Sequence, residues 1–238
     1  MQFFYHPDLV SHPVFELLPD EARHCLKALR KHAGDEISIT DGCGRLATAQ
    51  ILSTEPPTRC VVQLLKVDHQ HALRPHRFHL AIAPTKNADR IEWLVEKSIE
   101  IGIEQISFLR CEHSERTNLD LTRLQRLAIA AIKQSNTCLI PEMQLIDFSN
   151  FIDSPAIQSI HHRYIAWCAD DLPRIEFALQ PLQGQDAMLL IGPEGDFSPT
   201  EVQLALQQGF TAVSLGPRRL RTETAGLYGV CVYAGMQV

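Results

Sequence analysis

The 238-residue sequence predicts an α/β protein with a mostly parallel sheet, preceded by a small β-barrel domain. From Phe78 onward, short apolar runs alternate with amphipathic stretches of helical period, which is typical of parallel strands joined by helices. Before that point, alternating residues flank turn signals such as Asp41-Gly42, which is typical of antiparallel hairpins. We therefore expect a barrel at residues 1–70 and an α/β domain at residues 73–238.

In the N-terminal part we expect one helix, Pro19–Lys31, with Gly34 just beyond its end. The alternating pattern predicts strands at residues 3–5, 35–40, 45–52 and 60–67. Basic residues gather around the helix and hairpin, and they indicate either a solvated helix face or a phosphate-contacting patch on an RNA-binding barrel. They are Arg23, Lys27, Arg30, Lys31 and Arg45.

The second part alternates strands with helices. We expect strands at residues 78–83, 105–109, 164–168, 187–191 and 211–215, and helices at 88–101, 121–135, 199–208 and 222–235. Residues 142–162 show no clear pattern. Four histidines lie between His69 and His79 without metal-ligand spacing, so we interpret that stretch as a polar linker and expect no metal site.

Two glycine loops lie at predicted strand ends near the C-terminus. The first is Gly192-Pro193-Glu194-Gly195, and Ser198, Pro199 and Glu201 after it form the capping pattern of a helix start. The second, from Leu215-Gly216 to Ala225, contains Arg218, Arg219 and Arg221. Loops at the carboxyl ends of parallel strands commonly form a small-molecule site.

Several activities lack their motif here. No Gly-Lys-Ser/Thr follows Gly192, the spacing of a dinucleotide site is absent, and no Gly-x-Ser-x-Gly elbow occurs. What remains is a pair of loops rich in main-chain donors and acceptors, beside one carboxylate and a group of arginines. Such loops suit an adenosine-like ligand together with an anionic substrate.

The composition of the chain narrows the partners and the cellular compartment to be expected. The net charge of −6 argues against a chain that coats nucleic acid over its whole surface, although local basic patches exist. The seven cysteines are scattered, which predicts free thiols in a reducing cytoplasm; Cys231 is expected in the core. No stretch is long enough to span a bilayer and no signal peptide is evident, so we expect a cytoplasmic protein without a membrane partner.

Read together, the motifs resemble one family. Leu190-Ile191-Gly192-Pro193-Glu194-Gly195, followed by Leu215-Gly216 and Leu220-Arg221-Thr222-Glu223-Thr224-Ala225, resembles the paired C-terminal motifs of the RsmE family. Upstream segments fall in the expected order: His24 to Asp35, Lys86 to Gly102, Ser114 to Thr117, and Gln134-Ser135. Asp196 departs from the family pattern, which repeats glycine there; aspartate tolerates a left-handed backbone better than most residues do.

The resemblance implies a fold and an activity. RsmE proteins are 16S ribosomal RNA uridine-N3 methyltransferases of the SPOUT class that use S-adenosylmethionine. By resemblance, the chain has a SPOUT-type trefoil-knot domain with a parallel sheet, preceded by a PUA-like barrel, and it forms a homodimer through its C-terminal helix. The expected partner is 16S rRNA or the small ribosomal subunit.

The resemblance also implies roles for residues. Cofactor binding is expected at Leu190, Ile191, Gly192, Gly195, Leu215, Gly216, Leu220 and Thr222. Arg221 is the candidate for anion stabilisation or phosphate anchoring, and Glu194 and Glu223 are alternative candidates for the base. Each carboxylate also has a structural interpretation: Glu194 as an acceptor for loop amides, and Glu223 as a first-turn carboxylate that satisfies the helix dipole. Substrate contacts are expected at Lys86, Arg90, Arg116 and Arg30, although Arg90 also has a simpler interpretation, an ion pair with a glutamate on its own helix.

Two other functions remain open from the sequence. One is a non-catalytic RNA-binding factor for ribosome assembly that keeps the fold. The other is a methyltransferase of the same class that acts on transfer RNA.

Overall fold

The computed structural model describes residues 2–56, 58–69, 76–168 and 173–237, with the main chain alone at Ala156. The chain divides into two compact units, Met1–Leu73 with Ile129–Ile140, and Arg74–Ala128 with Pro141–Val238. The boundary predicted between residues 70 and 73, and the central part of the predicted linker, lie outside the described residues.

The first unit is built on a five-stranded sheet in the order β1-β3-β4-β5-β2. Its strands are β1 (Phe3–Tyr5), β2 (Val14–Glu16), β3 (Glu36–Thr40), β4 (Leu46–Ser53) and β5 (Val61–Asp68). The β1–β3 pair is parallel and the other pairs are antiparallel. The sheet curls into a PUA-like half-barrel, which confirms the predicted class of this domain. β2 was not predicted.

The helix of the first unit is shorter than expected. An α-helix, α1 (Pro19–Arg23), continues only as one π-helical turn, His24–Ala28. The amide of Leu29 donates to the carbonyl of His24, and Arg30 then adopts a φ of 52°. A left-handed residue cannot continue a right-handed helix, so the prediction of a helix to Lys31 was wrong at its C-terminal end.

Residues 129–140 belong to the compact first unit although they are remote in sequence from its other members. Ile140 donates its amide to the carbonyl of Gly42, and Leu139 forms an isolated bridge with Cys43. Lys133 forms an ion pair with Glu21, which is 6% exposed. The first unit is therefore completed by a segment that sequence order alone assigns elsewhere.

The second unit contains a seven-stranded sheet in the order β10-β12-β9-β11-β6-β7-β8, and every pair in it is parallel. The predicted parallel α/β domain is confirmed. The strands are β6 (Phe78–Ile82), β7 (Gln105–Arg110), β8 (Glu142–Asp147), β9 (His162–Ala166), β10 (Ile175–Glu176), β11 (Ala187–Ile191) and β12 (Thr211–Ser214). The helices are α2 (Ala88–Ile101), α3 (Leu121–Ser135), α4 (Phe148–Ile152), α5 (Pro155–Gln158), α6 (Pro199–Gln207) and α7 (Thr222–Met236), with a short 3-10 turn at Phe177–Leu179. The part of α3 from Ile129 onward belongs to the first unit.

Helices cover both faces of this sheet. Successive residues of a strand point to opposite faces. Leu80 and Ile82 of β6 lie against Gly226 of α7, whereas Ala81 belongs to a buried cluster that includes Phe148 of α4 and Val202 of α6. Full burial of β6 and β11 on both sides agrees with their continuous apolar sequences.

The glycines of α7 allow the helix to approach the sheet closely. A Cβ at Gly226 would lie 2.7 Å from Cδ1 of Ile82, and one at Gly229 would overlap the side chain of Leu189. Contacts within the chain therefore explain these small residues. Cys231, on the other hand, is exposed on α7, so the expectation that it lies in the core was wrong.

His79 in β6 is a buried polar residue in an otherwise apolar strand. Its Nε2 lies 2.8 Å from Oγ of Ser107 on β7, and Ser107 accepts a hydrogen bond of 2.9 Å from Nε2 of Gln144 on β8. The hydroxyl of Ser107 can then donate to a neutral imidazole. Burial lowers the pKa of His79 to about 4, which favours the neutral form in the folded protein.

We predict a pH-dependent loss of stability from His79. The unfolded chain binds a proton near the ordinary pKa of 6.5, while the folded protein does not until about 4. Stability is therefore greatest above pH 6.5 and falls by about 3 kcal/mol as the pH drops to 4. Urea unfolding between pH 7.5 and 4, compared with His79→Gln, measures this; parallel curves for the two proteins would contradict it.

We also predict opposite effects of alanine at two glycines of α7. Gly229→Ala should lower the free energy of unfolding by about 1–2 kcal/mol, because the new methyl group overpacks against Leu189. Gly235→Ala is the matched control, since nothing lies within 4 Å of its would-be Cβ, and it should be neutral or stabilising by up to about 1 kcal/mol. Equal shifts in thermal unfolding would show that close packing at Gly229 does not matter.

Candidate functional site

A cavity of about 460 Å³ lies in the second unit, at the carboxyl ends of β9, β11 and β12. Its size is within the range of ordinary small-molecule sites. The loops that follow these three strands form its walls, together with the start of α7 and Arg90 of α2. The position agrees with the general rule for ligand sites in parallel sheets.

The first loop runs from Gly192 to Ser198 and is held by its own side chains. The hydroxyl of Ser198 accepts from the amide of Glu201, and the Glu201 carboxylate accepts from the amide of Ser198, so the predicted capping box is present. At Gly192, a Cβ would lie 3.0 Å from the amide nitrogen of Phe197, which leaves little room for any other residue. The turn of the loop thus brings Phe197 close to Gly192.

Asp196 adopts the left-handed backbone that the sequence suggested, with a φ of 64°. Its Oδ2 accepts a hydrogen bond of 3.0 Å from the amide of Cys168, and its Oδ1 accepts one of 2.8 Å from the amide of Phe197. A glycine at position 196 would permit the turn, but the amides of Cys168 and Phe197 would lose their hydrogen bonds to the Asp196 carboxylate. Asp196 thus joins the first loop to the end of β9.

The second loop follows β12. Gly216 has a φ of 105°, and its amide donates to Oγ of Ser214. Thr222, at the start of α7, donates through Oγ1 to the carbonyl of Gly192 at 3.2 Å. The two glycine loops, separated by a helix and a strand in sequence, are therefore hydrogen-bonded neighbours.

Most predicted site residues line this one cavity. Ile191, Gly192, Leu215, Gly216, Leu220, Thr222, Glu194, Arg221 and Arg90 are among the lining residues. Leu190 points into the buried cluster between the sheet and α6, and Gly195 lies against His113 at 3.1 Å from its would-be Cβ. Among the described residues, neither of these two lines the cavity.

The two candidate carboxylates occupy different places. Glu194 is exposed and lines the cavity, and its Oε1 accepts a hydrogen bond of 3.0 Å from the amide of Lys86. Glu223 is 7% exposed and faces Arg90, with 3.7 Å between Oε1 and Nε. Arg90 therefore pairs with a glutamate of α7, which corrects the alternative of a partner on its own helix.

The remaining predicted substrate residues lie outside the cavity wall. Nζ of Lys86 is 2.8 Å from Oε2 of Glu115, which raises the pKa of Lys86, and the side chain is mostly exposed. Arg116 donates to the carbonyls of Thr85 and Lys86. Arg30 is exposed and belongs to the first unit.

Positive charge is concentrated at the cavity. Arg218, Arg219 and Arg221 are exposed lining residues, and within the part of the chain that the structure describes none of them forms an ion pair. Arg174 also lines the cavity and donates to the carbonyl of Trp167 at 2.8 Å. This group of cations suits an anionic ligand.

The wall that follows β9 was not predicted from the sequence. Ala166, Trp167 and Cys168 line the cavity because β9 lies between β11 and β12 in the sheet. The rule that parallel strands bring their carboxyl ends to one edge would have indicated this stretch. Burial and the Asp196 carboxylate raise the pKa of the Cys168 thiol, against the opposing effect of Arg219, so a thiolate nucleophile is not favoured.

The described residues contain no group of three or more potential metal ligands. None of their helices is long and apolar enough to cross a membrane.

Comparison with known proteins identifies the class. Residues 73–233 match the RNA methyltransferase domain family, and residues 17–65 match the RNA methyltransferase PUA domain family. The chain is thus an RNA methyltransferase with a PUA domain.

Its relatives define the family more closely. Ribosomal RNA small subunit methyltransferase E of Buchnera aphidicola is 25% identical, with 91% of this chain and 86% of that protein covered. The same-named protein of Neisseria gonorrhoeae, solved bound to S-adenosyl methionine, has a TM-score of 0.81, 27% identity, and coverage of 100% and 98%. A probable rRNA-methyltransferase from Porphyromonas gingivalis has a TM-score of 0.91, 40% identity, and coverage of 100% and 98%. This chain belongs to the RsmE family.

We predict that Asp196 stabilises the first loop in two ways. Asp196→Ala should lower the free energy of unfolding by about 2–3 kcal/mol, since it removes two hydrogen bonds and places alanine in a left-handed conformation. Asp196→Asn keeps an acceptor and tolerates the conformation, so it should cost less than about 1 kcal/mol. Urea unfolding of both variants is the measurement, and equal losses would rule out this account.

Proposed function

We propose that the protein transfers a methyl group from S-adenosylmethionine to N3 of a uridine in 16S ribosomal RNA. One observation carries the proposal: nine residues of the family motifs line a single cavity at the carboxyl edge of the sheet. A relative with 27% identity is solved with S-adenosyl methionine, and the named relatives are small-subunit rRNA methyltransferases. The cytoplasm, where ribosomal RNA is assembled, is the proposed location.

The cavity suits the adenosine part of the cofactor. Gly192, Leu215 and Gly216 line it beside the apolar residues Ile191 and Leu220. Main-chain groups can hydrogen-bond an adenine edge without a charged side chain, and apolar contacts cover its faces. Leu190 and Gly195 support this wall from behind, since they lie next to lining residues.

The reaction forms a bond between N3 and the methyl carbon and breaks the bond between that carbon and the sulfonium sulfur. Uracil N3 carries a proton that must leave, and the ring must reach the methyl group in line with the sulfur. A carboxylate can accept the proton, and nearby cations can stabilise the developing uracil anion.

The geometry favours Glu194 over Glu223 as the carboxylate that faces the uracil. Glu194 lines the cavity, whereas Glu223 is buried behind Arg90 and, among the described residues, is not part of the wall. Arg90 and Arg221 both line the cavity and are our candidates for anion stabilisation. Glu223 then orients Arg90, which assigns the two carboxylates different roles.

We further propose which residues contact the RNA and how the protein forms a dimer. Arg30 and the basic residues near it in the first unit contact phosphates, and Lys86 is proposed to do so beside the cavity. We propose that the protein is a homodimer with α7 in the interface, where Cys231 is exposed. The trefoil knot stays a prediction from the family resemblance.

We predict that filling the cavity abolishes cofactor binding. Cys168→Trp places an indole in the wall, so calorimetry should show saturable binding of S-adenosylmethionine by the wild type and none by the variant. Cys43→Trp, at an exposed cysteine of the first unit, is the control and should bind normally. No binding by folded wild-type protein would contradict a preformed cofactor site.

The activity itself is tested by incubating the protein with labelled cofactor and either small ribosomal subunits, free 16S rRNA or transfer RNA. Nucleoside analysis should yield N3-methyluridine from ribosomal RNA only, and Glu194→Gln should lower kcat by about 100-fold. Label in transfer RNA alone would favour a transfer RNA methyltransferase. Tight binding of ribosomal RNA without methyl transfer would favour an assembly factor.

A further inference from the structure

A half-buried arginine joins two loops at the carboxyl edge of the sheet. Arg116, in the loop after β7, directs its guanidinium at the main chain of the loop after β6. Its Nε donates to the carbonyls of Thr85 and Lys86, both at 3.1 Å, and its Nη2 donates to the Lys86 carbonyl at 2.8 Å. These contacts occupy two of its nitrogens with acceptors from the protein itself.

The loop that Arg116 holds is also the loop that holds Glu194. The amide of Lys86 donates to Oε1 of Glu194 at 3.0 Å. That amide and the carbonyl of Thr85 belong to the same peptide group. The Arg116 cation and the Glu194 carboxylate are therefore hydrogen-bonded to opposite sides of one planar peptide unit.

This arrangement is stronger than two separate hydrogen bonds. Each end is charge-assisted, and a cation at the carbonyl polarises the peptide so that its N–H becomes a better donor to an anion. Rotation of the peptide would break both contacts together. The orientation of Glu194 thus depends on whether Arg116 is in place.

We infer that Arg116 is a positioning residue that fixes Glu194 in the cavity wall through the Thr85–Lys86 peptide group. The inference rests on the proposed function, in which Glu194 is the carboxylate that faces the uracil. The hypothesis from the sequence that Arg116 contacts RNA stays a prediction beside it, since these contacts use only Nε and Nη2 of the guanidinium group.

The surroundings of this peptide group support the assignment. Thr85 is fully buried, and its Oγ1 donates to the carbonyl of Asn87 at 2.8 Å. Asn87 in turn caps α2 by accepting from the amide of Asp89. These hydrogen bonds hold Thr85 and Asn87 at the start of α2, so the Thr85 carbonyl that Arg116 binds has a fixed position.

Arginine is the residue type that this contact requires. Its planar fork reaches two successive carbonyls at once, whereas lysine is a point charge on a flexible stem. The neighbouring pair of Lys86 and Glu115 is mostly exposed and cannot substitute for it, because exposed ion pairs contribute little.

The test is a double-mutant cycle with purified full-length protein, S-adenosylmethionine and small ribosomal subunits. Arg116→Ala should lower kcat by about 10- to 100-fold and leave the KM for RNA and for cofactor within about twofold, because the carboxylate is misplaced while binding surfaces remain. In a Glu194→Gln background the same change should cost less than about twofold. Arg116→Lys should recover only part of kcat.

Arg123→Ala is the matched control, since Arg123 is an arginine of the same unit that pairs with Glu92, and it should leave kcat and both KM values unchanged. Four outcomes would overturn the inference. For Arg116→Ala, two of them are a raised KM for RNA with a flatter salt dependence and unchanged kcat, and a lower unfolding temperature with unchanged kcat. The third is an equal loss of kcat from Arg116→Ala in the wild-type and Glu194→Gln backgrounds. The fourth is full activity of Glu194→Gln. Wild-type protein that transfers no methyl group would instead refute the proposed function, and the inference with it.

Discussion

The parallel pairing of β6 with β11 is the constraint on which the second unit depends. These strands lie at the centre of the sheet although more than a hundred residues separate them, and Phe78 through Ile82 pair in continuous register with Ala187 through Ile191. Parallel pairing sends both carboxyl ends to one edge. The loop after β6, which contains Lys86, therefore lies beside the loop after β11, which contains Glu194. The cavity lies at the ends of β9, β11 and β12, where the same parallel pairing continues.

At that edge, side chains bonded to main-chain groups keep the loops in place. Asp196 links the first glycine loop to the end of β9, Thr222 links it to α7, and Glu201 accepts from the amide of Glu112. Each contact satisfies a backbone group that a loop otherwise leaves to water. A site built in this way is preorganised by the fold, while Arg218, Arg219 and Arg221 are exposed at its outer surface. The residues that hold the loops in place are thus different from the arginines that supply positive charge at the surface of the cavity.

Many of the helices and strands could be predicted from the sequence because the patterns that define them are local. The limits of α2, α3 and β11, and the capping box of α6, follow from apolar period, cap residues and a terminal glycine. The π-helical turn after α1 was missed, since its sequence still has a helical period. β8 was missed because it alternates weakly, and its strand character depends on pairing with β7. The wall after β9 was missed because nothing in its residues marks it until β9 is placed beside β11.

The sequence by itself determined the class of fold, the starts of α1, α2, α3, α6 and α7, and nine of the residues that line the cavity, because patterning, capping and motif residues act over a few positions of the chain. Tertiary structure alone decided which carboxylate faces the cavity, since Glu194 and Glu223 differ in what lies around them and not in residue type. It also decided that Arg116 reaches the peptide group that binds Glu194, and that residues 129–140 complete the first unit. Those facts depend on long-range pairing of strands, which no local pattern encodes.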